Sequence, residues 1–123
     1  MDSYQIVNHK ERLLNTLDSM VVYLFSCPNC QLAYIGSTKK CLISRYQDHK
    51  GISSRTGRAL SRPLQSSVRD HCNNICDCTF SLDNFSILYR GSHELEIRIA
   101  ESILIRNKKP ILNQETSSFP LKL

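Results

Sequence analysis

A chain of 123 residues that is 41% hydrophobic and 22% charged has the size and composition of one globular domain, not of a disordered chain. No apolar run reaches the roughly 20 residues a helix needs to cross a bilayer. The opening Met1-Asp2-Ser3-Tyr4-Gln5 has no basic segment followed by an apolar one, so the chain reads as neither membrane-spanning nor secreted.

The net charge of +5 is unevenly spread. Ser37 to Arg69 carries Lys39, Lys40, Arg45, Lys50, Arg55, Arg58, Arg62 and Arg69 against Asp48, a surplus of +7, whereas the segments on either side each sum to −1. Positive charge concentrated this way suits a polyanion, most simply nucleic acid; a solvated surface on a basic protein reads the same way.

Leu13, Leu14 and Leu17 stand at helical spacing, which predicts a lead-in helix or linker within residues 1–19. Met20–Phe25 and Leu32–Gly36 read as a hairpin around Cys27-Pro28-Asn29-Cys30, because Pro-Asn favours a tight turn. Symmetry about that turn predicts Tyr23 directly opposite Tyr34. Val22 and Leu24 are also apolar, which makes the first strand central. Ser37 or Thr38 is the expected cap of a helix from about Lys40 to Lys50, with Arg45 and His49 on one face. After a polar loop at Gly51–Gly57, Ser61-Arg62-Pro63 signals a second helix with Leu64 and Val68 inward, His71 near its end, and a break at Asn73-Asn74. Phe85–Tyr89 reads as a third strand closed by Gly91. The longest helix then runs from Ser92 or His93 to about Lys108, where Pro110 stops it. With stripes at Leu95/Ile99/Ile103 and Ile97/Leu104/Ile105, that helix is expected to be deeply packed. The globular core is expected over 20–115, with 116–123 as a tail. The fold class is α+β: a small, mainly antiparallel three-stranded sheet flanked by helices, with a zinc knuckle.

Two features carry chemistry. Glu101 interrupts an apolar stripe, where a carboxylate loses hydration unless it is paired, as with Arg98, or ligates a divalent cation. Six cysteines without a secretory signal suit a reducing compartment and metal rather than disulfides. Cys27 and Cys30 give half of a tetrahedral zinc site, and His71, Cys72, Cys76 and Cys78 offer the rest. The expected set is Cys27, Cys30, His71 and Cys78, with Cys76 as the alternative; buried free thiols are the plain reading, and Cys41 fits that one.

The order Tyr23, Tyr34-Ile35-Gly36, Arg45-x-x-x-His49, Glu101 and Asn113 resembles the GIY-YIG nucleases from about Met20 to Asn113. The cysteine pair, the His/Cys cluster and Lys109-Pro110-Ile111-Leu112-Asn113 are similar to the subgroup of Penelope-like retroelements, in which the nuclease is joined to a reverse transcriptase. Two positions depart from that pattern: Val21-Val22-Tyr23 stands for Gly-Ile-Tyr, and a cysteine replaces the second finger histidine.

The resemblance implies hydrolysis of double-stranded DNA with Mg²⁺ or Mn²⁺ on Glu101 and structural Zn²⁺ apart from it. Arg45 would hold the phosphate, Tyr23 or His49 would take the proton of water, Tyr34 would position the phosphate or water, and Asn113 would tie down the C-terminal segment. Lys39, Lys40, Lys50, Arg55 and Arg58 are the candidate DNA contacts. A retroelement origin implies nicking that primes reverse transcription by a polymerase joined to the chain or acting beside it, hence a nuclear location, otherwise cytoplasmic. The rival readings are a zinc-stabilised DNA-binding module without turnover and an interaction domain whose thiols are merely buried.

Overall fold

The computed structural model of the chain describes residues 18–115. Residues 1–17, where most of the lead-in helix was expected, and the 116–123 tail lie outside them; Asp18 and Ser19 are not helical. A three-stranded antiparallel sheet, β1 (Val21–Ser26), β2 (Ala33–Thr38) and β3 (Phe85–Arg90), has the order β2-β1-β3. β1 is central because both of its faces are apolar, as expected. Tyr23, Phe25 and Cys27 pack with Phe85 against Leu42, Val68, Cys72, Phe80 and Leu112. Val22 and Ile35 pack on the opposite face against Ile97, with Ala100, Leu104 and Ile105 around them.

Helices cover both faces. On the Tyr23 face lie α1 (Leu42–Lys50), the short α2 (Ser67–Asp70) and α4 (Ile111–Glu115), and on the other lies α3 (Glu94–Lys108). β3 carries a bulge, since Val22 pairs with Tyr89 but Tyr23 with Ile87.

The hairpin register differs from the symmetric expectation. Tyr23 stands opposite Gly36, and Tyr34 opposite Phe25. The loop closes at Cys27 and Leu32: Cys27 N–H donates to Leu32 C=O at 2.9 Å and Gln31 N–H to Cys27 C=O at 2.9 Å, with Gln31 left-handed at φ 65°. Four residues, Pro28 to Gln31, therefore sit in the turn, and its centre falls one position later than Pro-Asn implies. Gly36 makes this register possible, because a Cβ there would come within 2.5 Å of Tyr23 Oη. The slip equals two pairing positions, so the two tyrosines keep one face, with ring centroids 6.4 Å apart.

Three helix boundaries move as well. α1 begins after Cys41, while Thr38 stays in β2 and its Oγ1 accepts from Lys40 N–H at 3.0 Å. α2 starts at Ser67, capped by Ser66, whose hydroxyl accepts from Arg69 N–H. Val68 is buried, but Leu64 precedes the helix and is exposed. Asn73-Asn74 does not break the chain there: a π-helical turn carries it through His71–Ile75. α3 matches its expected limits but not its burial. Ile97 is buried, whereas Leu95, Ile99 and Ile103 are 64%, 52% and 52% exposed, so one of its two apolar stripes faces outward. Among the described residues no helix is long and apolar enough to cross a membrane.

Candidate functional site

Tyr23 and Cys27 lie on one face of β1, four residues apart, and each anchors a polar cluster. At Tyr23 the α1 pair closes in as its spacing requires. Arg45 Nε donates to Tyr23 Oη at 3.2 Å, and Tyr23 Oη meets His49 Nε2 at 2.7 Å. On the far side of the ring His49 Nδ1 lies 2.6 Å from Ser66 Oγ, the same hydroxyl that caps α2. Tyr34 completes an aromatic box, 5.8 Å from the His49 ring between centroids. His49 is 2% exposed. Tyr23 is 0% exposed, so in this conformation both the phenol and the imidazole are enclosed by protein.

The electrostatics of the box differ from expectation. Burial, then the neighbouring Tyr34 phenol, raises the Tyr23 pKa far above its ordinary value, and the field of Arg45 does not outweigh them. Tyr34 is raised by burial too. Burial, then Arg45, pushes His49 down to about 3, so the imidazole is neutral, with one ring nitrogen donating and the other accepting between Tyr23 and Ser66.

Glu101 comes from α3, on the other face of the sheet. Its Oε1 accepts from Ser37 Oγ at 2.6 Å, near the end of edge strand β2. Arg98 pairs with Glu94 at 3.6 Å and acts on Glu101 through its field. Burial raises the Glu101 pKa against the Ser37 hydrogen bond and the fields of Arg98 and Arg45. Glu101 is thus coupled to the phenols and Arg45 by charge across β2, while its hydrogen bond goes to Ser37. Beside Arg45, at the end of β2, opens a cavity of about 310 Å³ lined by Ser37, Thr38, Lys39, Lys40, Arg45, Glu94, Ile97 and Arg98; Tyr23, His49 and Glu101 do not line it.

Asn113 holds the outer edge of β2. Its Oδ1 accepts from Ile35 N–H at 2.7 Å and its Nδ2 donates to Ile35 C=O at 2.8 Å, so one side-chain amide takes both backbone groups of an edge residue. This is the tethering role expected of it, and it keeps Ile35-Gly36-Ser37 in line.

The basic residues divide. Lys39 and Lys40 line the cavity, paired with Glu94 at 3.6 Å and Asp48 at 2.7 Å. Arg55 and Arg58 are exposed on a small loop closed by the Ile52–Ala59 bridge. Lys50 instead places its ammonium 4.4 Å from the Phe80 ring centroid, a cation–π contact. Arg98, which sequence reasoning weighed only as a partner for Glu101, joins the cation lining. Its position four residues after Glu94 on α3 was the signal.

At the other cluster, five of the six free cysteines gather around the hairpin tip. The ligand atoms of Cys27, Cys30, His71 and Cys76 all lie within 4.8 Å of one another, a set able to hold a metal such as zinc. Cys76 is the fourth member here, in place of Cys78. The π-helical turn returns Cys76 N–H to His71 C=O at 2.9 Å, while Cys78 N–H bonds Cys72 C=O and joins Cys72 and Cys27 in a second group. His71 Nε2 points at Cys30 Sγ, 3.2 Å away, and its buried Nδ1 has no partner among the described residues. The sulfurs of Cys27 and Cys76 are 3.7 Å apart, close to the roughly 3.8 Å that tetrahedral bonds of 2.3 Å to zinc require. Burial pushes the Cys27 thiol up, but the N–H groups of Cys30 and Asn29 hold it at about 6, in the range where a thiolate is ready for a metal. Cys41 is half-buried at the start of α1, 3.3 Å from Ser44 Oγ and apart from the cluster.

No family model, curated protein or solved structure matches the chain.

Proposed function

We propose that the chain is a GIY-YIG-type endonuclease that hydrolyses phosphodiester bonds of double-stranded DNA with Mg²⁺ or Mn²⁺. On this reading it derives from a Penelope-like retroelement and nicks nuclear DNA to prime reverse transcription by a polymerase domain joined to it or beside it. The observation that carries the reading is the contact at Tyr23 Oη, with Arg45 on one side and His49 on the other.

The Glu101 carboxylate and Ser37 hydroxyl are hard oxygen donors. They fit Mg²⁺, which keeps several waters and binds through one or two carboxylates plus substrate phosphates. Such an ion, when bound, supplies Lewis acidity at the phosphoryl oxygen and the leaving oxygen. Arg45 stays charged at any working pH and favours the charge added in the pentacovalent transition state. On this reading a proton passes from water to Tyr23 Oη and from Tyr23 to His49 Nε2, a relay that requires substrate binding to open the box, because Tyr23 and His49 are 0% and 2% exposed. The Ser66 contact fixes the imidazole for that relay. Burial of both groups makes the relay unfavourable at rest; an incoming phosphate brings the negative charge that offsets an imidazolium beside Arg45. Lys39, Lys40 and Arg98 extend the cationic lining along the path of a DNA backbone. Zinc at the thiol cluster is structural, because four Cys/His ligands leave no open position.

A zinc-stabilised DNA-binding module without turnover is the second reading, and one observation favours it: Glu101 spends its described hydrogen bond on Ser37, across β2 from Tyr23 and Arg45. Supercoiled plasmid decides between them. With Mg²⁺ or Mn²⁺ the wild type should relax it and Glu101→Ala should not, although both bind it. Binding without relaxation by the wild type leaves the module reading, and equal relaxation by both proteins removes Glu101 from the chemistry.

A further inference from the structure

We infer that the thiol cluster is built for two metal ions bridged by Cys27, a deepening that rests on reading Cys27, Cys30, His71 and Cys76 as a zinc site. The second ion is thiophilic and held by Cys27, Cys72 and Cys78, whose sulfurs also lie within 4.8 Å of one another. The two ligand groups share a single atom, Cys27 Sγ. It stands 3.7 Å from Cys76 Sγ in one group and 3.6 Å from Cys78 Sγ in the other, both near the spacing of sulfurs on one tetrahedral ion. A sulfur that fits two ligand sets at once is in the position of a bridging thiolate.

The chain builds this arrangement deliberately. Asp77 adopts the left-handed conformation, φ 52°, between Cys76 and Cys78, and both sulfurs reach Cys27 Sγ. The bond from Cys78 N–H to Cys72 C=O at 2.9 Å pins the second pair. Cys72 and Cys27 are 0% and 1% exposed and Cys78 is half-buried, so the second group is all-sulfur, the donor type that selects soft ions. If one zinc were all the cluster held, Cys72 and Cys78 would be thiols crowded against a thiolate with nothing to do. Loading the second ion converts two S–H groups to S–metal bonds, and their two protons leave to the buffer; Cys27 has already given up its own to the first ion.

Cd²⁺ is the probe, counted by native mass spectrometry of the full chain and followed by its thiolate absorption. Two ions should bind per chain in the wild type and in Cys41→Ser. Cys72→Ser and Cys78→Ser should each stop at one, and Cys27→Ser should lose the second ion and weaken the first. Cys78 is the less buried of the pair, so its variant answers if Cys72→Ser does not fold. One ion at saturation of the wild type overturns the proposal and leaves a single-ion knuckle. No ion overturns both readings, and two ions in Cys78→Ser overturn the bridge.

Discussion

The Tyr23 and Cys27 clusters share a strand and a face, yet they are opposites in construction. The thiol cluster is assembled at a hairpin tip from donors that need only come near one another, and an ion can pull them into final geometry. The Tyr23 box is buried and preformed: each polar atom already has a protein partner, and the burial that fixes the geometry also disfavours every charged form the chemistry needs. The first kind of site would draw stability from a bound ion, whereas the second holds its phenols and imidazole neutral by burial.

That contrast is broken most directly by removing metal. Chelation, or Cys27→Ser, should lower the melting temperature by on the order of 10 °C or more while leaving the residual fold unable to protect Cys72 from alkylation. A melting curve indifferent to chelator would put the tip in the same preformed class as the box.

The opposite signature is expected at Tyr23 and Glu101. Tyr23→Phe and Glu101→Gln should each reduce nicking by about 100- to 1000-fold, Glu101→Gln without loss of stability and Tyr23→Phe with a loss of about 1–3 kcal/mol, because it strips His49 and Arg45 of a buried partner. Because burial raises the Glu101 pKa, the folded state favours the neutral form and stability falls as pH rises past the usual carboxylate range. Glu101→Gln removes that dependence and should melt no lower than wild type at pH 7. A large drop in melting temperature would make Glu101 structural.

His49 sharpens the contrast through pH. Its pKa falls from 6.5 to about 3 on folding, so between those values the unfolded chain binds the extra proton. Stability therefore rises with pH across that window and is lost as pH falls through it, by a few kcal/mol in all. Urea titrations of wild type and His49→Gln, both metal-loaded, should differ in slope against pH there; parallel profiles would count against a buried neutral imidazole. The smallest effect is steric. Gly36→Ala should cost about 2 kcal/mol by driving a methyl into the Tyr23 ring, and should depress nicking with it. A neutral substitution would mean that the ring is free to move.

The sheet was legible because its signals are local: a continuous apolar run in β1, a turn dipeptide, and a long capped helix with two apolar stripes in α3. Its register was not, because Gln31 entering the left-handed region is a choice among turn geometries that Pro-Asn leaves open. The Arg45/His49 pair followed from helical spacing alone, but His49 as a buried partner of Ser66 did not, since Ser66 is brought there by a loop the sequence gives no reason to fold that way. The exchange of Cys78 for Cys76 has the same origin: a π-helical turn through Asn73-Asn74, where polar residues argued for a stop. Burial of only one stripe on α3 shows that apolar periodicity marks which faces can be covered, not how many neighbours exist to cover them.

One consequence lies in Asn113. The outer rim of β2 carries the backbone row onto which another extended segment would add, and a single carboxamide occupies Ile35 there in both directions. The residue that bonds Ile35 beside Gly36 and Ser37 therefore also occupies backbone groups through which a further strand would add.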